Sequence, residues 1–176
     1  MKSDPQGSRD SPWVFIALGA NIGNARQTIL RAVERLQQFS DEPLIRSSLW
    51  QTSPVDCPPG SPQFINAVVK LRAGRSETPI SLLTKLQALE KEFGRQTKKI
   101  LNEPRPLDLD LISFGNEACL EPELVLPHPR AHLRRFVLGP LSEIAPHLLL
   151  PGQSKTVVEL LNDLPPDEEV LKLDNP

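Results

Sequence analysis

The sequence predicts an α+β domain: a ferredoxin-like βαββαβ core with an antiparallel sheet, helices packed on it and a C-terminal helical extension. Three observations predict it. The first two-thirds of the chain runs strand, helix, strand, strand, helix, strand, which is the split βαβ plan. Both helical stretches repeat apolar residues at three- and four-residue spacing, whereas the others are short β-rich or alternating runs. The chain has 176 residues, enough for one well-buried core and too few for two ordinary domains.

The elements follow in order. Residues 1–12 are expected to be a disordered lead-in, because Ser, Asp, Gly and Pro dominate there. Trp13–Leu18 is a β-rich run that ends at the turn signal Gly19-Ala20-Asn21-Ile22-Gly23. Ala25–Phe39 has a helical stripe of Ile29, Leu30, Val33 and Leu36. Leu44–Gln51 reads as a second strand. The next stretch, Thr52–Gln63, reads as loop, since Pro54, Pro58, Pro59 and Pro62 cannot donate ladder hydrogen bonds. Phe64–Leu71 is a third strand.

Thr78–Phe93 is a second amphipathic helix, with Leu82, Leu83, Leu86 and Leu89 inward and Gly94 as its stop. Arg95–Pro106 is a polar, cationic loop. Leu107–Phe114 alternates leucine with aspartate before a turn at Gly115-Asn116. Beyond it the sequence predicts a short strand at Leu124–Leu126 and short helices near Ala131–Arg135 and Leu138–Ile144. A closing helix follows at Val157–Leu164, and then a tail, 165–176. One domain is expected over residues 13–164.

Composition excludes several classes. Hydrophobic residues at 39% and charged residues at 24% describe a globular chain. No apolar run approaches the roughly 20 residues that span a bilayer, and the polar N-terminus lacks a secretory signal, so a cytoplasmic protein is expected. The net charge of −2 and a pI near 5.9 argue against a nucleic-acid surface. Cys57 and Cys119 are expected to be reduced thiols, and no zinc-ligand spacing occurs. The 19 prolines, about twice ordinary usage, point to long, stiffened loops.

The sharpest local signal is Pro104-Arg105-Pro106-Leu107-Asp108-Leu109-Asp110-Leu111. On a strand, Asp108 and Asp110 share one face, roughly 7 Å apart at Cα, while the leucines face the core. Two neighbouring carboxylates repel, and a hard divalent cation such as Mg²⁺ removes that cost. Asp-x-Asp alone more often decorates a solvated sheet face. Here Arg95, Lys98, Lys99 and Arg105 run directly into the pair, and cations beside carboxylates form the two halves of a magnesium–nucleotide site. No Walker-type P-loop is present.

With these segments in place, the chain closely resembles the 6-hydroxymethyl-7,8-dihydropterin pyrophosphokinase family over about residues 14–164. The resemblance is carried by Ala17-Leu18-Gly19-Ala20-Asn21-Ile22-Gly23, Thr52-Ser53-Pro54-Val55, Phe64-Ile65-Asn66-Ala67, the Pro104–Asp110 run, Leu126-Pro127-His128-Pro129-Arg130 and Leu141-Ser142-Glu143-Ile144-Ala145-Pro146. It implies transfer of diphosphate from ATP to the hydroxymethyl group of 6-hydroxymethyl-7,8-dihydropterin, releasing AMP, in folate biosynthesis. By that resemblance Asp108 and Asp110 would hold two Mg²⁺ ions, with Arg95 and Arg105 also catalytic. Thr52, Ser53, Val55, Phe64, Asn66 and Phe136 would take the pterin. Leu83, Gln87, Glu90, Arg105, Leu111, His128 and Arg134 would lie on the nucleotide side. A monomer with small-molecule partners is expected.

Three positions depart from better-known members. Thr97 stands where many carry a second phosphate-binding arginine, a task left to Lys98 or Lys99. Leu101-Asn102-Glu103 replaces an Arg-Trp-Gly stretch whose tryptophan closes over the pterin. Pro129 replaces a tyrosine near the nucleotide. Two other readings share parts of this pattern. A non-catalytic ferredoxin-like module would not need the aspartate pair, and an RNA-binding one would need clustered strand aromatics. A magnesium phosphotransferase for another alcohol would lack only the pterin slot.

Overall fold

The computed structural model describes residues 11–96, 103–166 and 169–173. The expected lead-in up to residue 10, and Thr97, Lys98, Lys99, Leu101 and Asn102 of the cationic loop, lie outside them. Eight strands and four α-helices are described. They are β1 (Trp13–Ala20), α1 (Ala25–Leu36), β2 (Ile45–Arg46), β3 (Trp50–Thr52), β4 (Phe64–Arg72), α2 (Pro79–Glu92), β5 (Asp108–Phe114), β6 (Cys119–Glu121), β7 (Leu124–Leu126), α3 (Arg135–Ile144), α4 (Val157–Asp163) and β8 (Val170–Lys172). The main sheet runs β5-β1-β4-β3-β8, with β2 also on β4, and every pair is antiparallel. β6 and β7 form a separate hairpin.

The sheet is buried on both faces, which explains why β1 is an apolar run rather than a strict alternation. On one face Ile16, Leu18, Val69, Leu71, Leu109 and Leu111 meet Ile29, Ala32 and Leu36 of α1 and Leu82, Leu86 and Leu89 of α2. On the other, Phe15, Val68 and Ile112 pack with Val137, Leu138 and Leu141 of α3 and Val157 of α4. A register shift between Phe15 and Ile16 of β1, opposite Ile112, lets Leu111 and Phe114 of β5 fill the same core three residues apart. Local chemistry sets the helix ends. Asn24 accepts from the Gln27 amide, and Thr78 with Ser81, and Thr156 with Glu159, form capping boxes.

Several boundaries differ from expectation. The Leu44–Gln51 run is two short strands, because the Ser47 hydroxyl takes the Val68 amide at 3.0 Å in place of a ladder carbonyl. The first helix ends at Leu36 and closes as a 3₁₀ turn, Gln37–Phe39. The stretch near Ala131–Arg135 is a 3₁₀ turn over Ala131–Leu133, and α3 begins at Arg135, three residues before the expected start. β6 and β8 were not predicted. Cys57 and Cys119 are free thiols. Among the described residues, no helix is long and apolar enough to cross a membrane.

Candidate active site

One end of the α3 face of the sheet is left uncovered, and there polar residues replace the apolar ones. Strand register places Asn66 of β4, Gly19 of β1 and Asp108 of β5 side by side in one row. Asp110 lies opposite Ala17 in the next row. These residues floor a cleft that is open to solvent. A Cβ on Gly19 would sit 3.1 Å from Asn66 Oδ1, so glycine keeps the floor between the amide and the carboxylate clear. Thr52, Ser53, Val55 and Phe64 line one side, and Arg105, Arg134 and Phe136 line it further with Asp108 and Asp110. Asn66 Nδ2 donates to Thr52 Oγ1 at 2.7 Å, which aims the amide.

The charges are tightly arranged. Asp108 Oδ1 receives Arg95 Nη1 at 2.6 Å, and its Oδ2 lies 3.3 Å from Arg105 Nη2. Arg95 is delivered by the end of α2: Gly94, at φ +93°, turns the chain back, and the Gly94 and Arg95 amides donate to the Lys91 and Glu90 carbonyls. The same guanidinium pairs with Glu90, a buried carboxylate that also accepts the Leu109 amide at 2.7 Å. Burial pushes the Glu90 carboxyl up to about 7, against the pull of that amide and of Arg95. Burial opposes the charge on Arg95, but Asp108 and Glu90 outweigh it and hold the guanidinium above its ordinary value.

Asp110 carries the clearest perturbation at the floor. Burial first, and then the neighbouring Asp108, raise its carboxyl to about 6. Arg134, Arg105 and Arg95 relieve only part of this. A buried carboxylate whose ionisation is opposed by burial and by a like-charged neighbour on the same strand face fits a hard divalent cation, which favours carboxylates and phosphate oxygens. Arg105 fits an anionic ligand. Its Nε is buried with no hydrogen-bond partner among the described residues, and its guanidinium lies 5.8 Å from the Phe64 ring centroid. Arg134 stands 5.4 Å over Phe136, so each aromatic side chain carries a cation at its face.

Eleven of the sequence-predicted site residues therefore meet at this end of the sheet: Thr52, Ser53, Val55, Phe64, Asn66, Arg105, Asp108, Asp110, Arg134 and Phe136 as lining, and Arg95 through its ion pair with Asp108. Glu90 stands one contact further back, behind Arg95. His128 follows β7, and its amide donates to Ile112 of β5. Burial, then Arg134 and Arg130, lower its imidazole to about 4, and Nδ1 accepts from the Arg130 amide, so the ring is neutral. Leu111 does not line the cleft: strand alternation turns its side chain into the opposite core, 3% exposed. Leu83 packs against that same core and Gln87 lies exposed on α2; neither lines the cleft.

Sequence reasoning missed Asp56 and Cys57, which line the cleft from the proline-rich loop. It also gave no role to Asn21. That buried amide accepts from the Arg105 amide at 2.8 Å and donates to the Pro62 carbonyl at 3.2 Å, while its own backbone amide donates to the Arg105 carbonyl. It pins together the bases of both loops that flank the cleft. Its place two residues after the floor glycine in the turn motif was the one available signal.

A family model described as 7,8-dihydro-6-hydroxymethylpterin-pyrophosphokinase (HPPK) matches residues 15–146. The chain is 36% identical over 159 residues to the 2-amino-4-hydroxy-6-hydroxymethyldihydropteridine pyrophosphokinase of Haemophilus influenzae, covering 90% of this chain and 96% of that protein. It is 38% identical over 146 residues to the folic acid synthesis protein fol1 of Pneumocystis carinii, covering 83% of this chain but 19% of that one. Among solved structures, wild-type HPPK-DHPS of Plasmodium falciparum superposes with a TM-score of 0.66 at 14% identity, over 89% of this chain and 42% of that one. That likeness shows the fold alone, and this chain spans less than half of that structure's length.

Proposed function

The chain belongs to the 7,8-dihydro-6-hydroxymethylpterin-pyrophosphokinase family, and from that premise we propose that this cleft transfers diphosphate from ATP to 6-hydroxymethyl-7,8-dihydropterin, with Mg²⁺ held at Asp108 and Asp110. The reaction serves folate synthesis. The observation that carries the magnesium reading is the buried, raised Asp110 carboxyl beside Asp108 in the cleft floor, with Arg95, Arg105 and Arg134 around them.

Phe64 and Phe136 flank the pterin ring, a geometry suited to a flat amphipathic heterocycle. Asn66 has committed one amide hydrogen to Thr52, so its Oδ1 and second hydrogen meet the polar edge of the ring. Arg105 and Arg95 release Asp108 and grip phosphate oxygens, a task for which planar, permanently charged guanidinium groups are suited. Arg134 neutralises further charge from the α3 side. The hydroxymethyl oxygen attacks the β-phosphorus in line and gives up its proton to solvent, the bond from that phosphorus to the α-phosphate oxygen breaks, and AMP leaves. Asp108 and Asp110 would hold magnesium, which would supply charge neutralisation during transfer. Most of the acceleration comes from positioning and charge neutralisation. Neutral His128, behind Arg134, leaves the local positive charge to the arginines.

The strand order β5-β1-β4-β3 supports reading the core as ferredoxin-like, with one pyrophosphokinase domain over residues 13–164. A monomer suffices, because one chain supplies every residue assigned to the cleft. Free thiols suit a reducing compartment such as the cytoplasm. The test is incubation with Mg-ATP and the reduced pterin, followed by nucleotide analysis. AMP is expected, and Asp108→Ala or Asp110→Ala should abolish it at saturating magnesium. Release of ADP, or normal turnover by either variant, defeats the proposal.

A further inference from the structure

We propose that the C-terminal strand β8 is a positioning element for the pterin side of the cleft, on the reading of that cleft given above. β3 carries Thr52 and leads into Ser53, yet it is three residues long, too short to be held firmly by β4 alone. β8 covers its other edge, pairing Trp50 with Lys172, Gln51 with Leu171 and Thr52 with Val170.

The pairing extends past both ends of β8. The Ser53 amide donates to the Glu169 carbonyl at 3.3 Å, and the Leu173 amide to the Leu49 carbonyl at 2.8 Å. Leu173 is packed against the core, so the strand is anchored at its far end. Lys172 pairs with Glu143 Oε2 at 3.1 Å, and Glu143 also accepts the Ser48 amide and the Trp50 indole N–H. One carboxylate on α3 thus ties β8 to β3 and to the residues just before it.

What β3 holds is specific. The buried Thr52 hydroxyl accepts from Asn66 and so sets the direction of that amide. Ser53 and Val55 follow directly into the cleft wall. The phosphate side is built on β5 and the end of α2, and β5 is the opposite edge of the sheet from β8. Loosening β8 should therefore weaken the pterin and spare the nucleotide.

Leu171→Pro tests this. The side chain is 60% exposed, so little packing is lost. Alternation of the antiparallel ladder between the Ser53 and Leu49 bonds places the Leu171 amide on Gln51, and proline removes that donor. Calorimetry on the full-length chain should show the Kd for the pterin rising about tenfold, as one or two lost hydrogen bonds would give. The Kd for Mg-ATP should change less than about twofold, while kcat at saturating pterin is largely kept and the amides of residues 50–53 exchange faster. Leu171→Ala, which keeps the donor, should bind both ligands normally. If the proline variant does not fold, a Glu169→Gly and Leu171→Gly double variant loosens the strand with its donors intact and is read in the same way. An unchanged pterin Kd, or equal weakening of both ligands, overturns the proposal. Failure of the unaltered chain to bind the pterin would instead defeat the reading of the cleft itself, and this inference with it.

Discussion

Asp110 shows how a single side chain can serve the site at the expense of the fold. Its carboxyl is raised above its unfolded value of 3.8, so its protonated form favours folding below that pH, and this stability is lost as pH climbs through about 6. At pH 7 the folded protein carries the ionised group as a burden. Asp110→Asn should raise stability at pH 7 by about 1–2 kcal/mol in urea unfolding, with turnover reduced by about 10²–10³-fold. A less stable variant would show that the ionised Asp110 is not a burden on the fold. His128 runs in the opposite direction. Its folded value of about 4 lies below the ordinary 6.5, so the stability it contributes is full above pH 6.5 and is lost as pH falls towards 4. His128→Gln should flatten the fall of unfolding free energy across that window. An imidazole NMR titration of the unaltered chain should show a midpoint near 4.

At the scale of elements, the cleft depends on loops joined at their bases rather than along their lengths. Asn21 makes that junction with one acceptor to the loop that ends in Arg105 and one donor to the loop that ends in Pro62. Asn21→Asp keeps the acceptor and turns the donor into a second acceptor facing a carbonyl. The expected result is weaker pterin binding, by about 1–3 kcal/mol for the unpaired group, with Mg-ATP affinity nearly unchanged. Asn21→Ala should lose affinity for both, because Arg105 is freed as well. Calorimetric titration of each ligand separates the two outcomes. α3 is placed by a comparable contact: a Cβ on Gly139 would meet the Trp50 ring at 3.3 Å, so the helix approaches the sheet closely and brings Arg134 and Phe136 over the cleft.

Across the whole molecule, the two faces of the sheet do different work. The α1/α2 face is apolar except at Glu90 and supplies cohesion, while the α3/α4 face is apolar only where α3 and α4 cover it. A core truncation on the first face, such as Leu71→Ala, should cost about 2–5 kcal/mol in chemical denaturation. Under conditions where that variant stays folded, ligand affinities should be unchanged. This division explains how much could be read in advance. Period-two alternation is enough to put Asp108 and Asp110 on one face, and helical stripes are enough to orient α1 and α2. Ser47 broke a predicted strand because a hydroxyl can replace a ladder carbonyl, and apolar periodicity does not report that substitution. β8 went unpredicted because three residues after a proline-rich stretch carry too little pattern to mark a strand.

The amino-acid order alone determined the types of the longer elements, the pairing of the two aspartates on one side of β5 and the cluster of cations before them. Those are local properties, set by spacing along a chain of known period. Only the tertiary structure decided that Asn66, Gly19 and Asp108 share one row, that Asn21 joins two loops and that Leu111 faces away from the cleft. Such relations depend on strand register and on which helix covers which face. Both are settled by burying apolar surface across the whole sheet, an energy that no short segment contains.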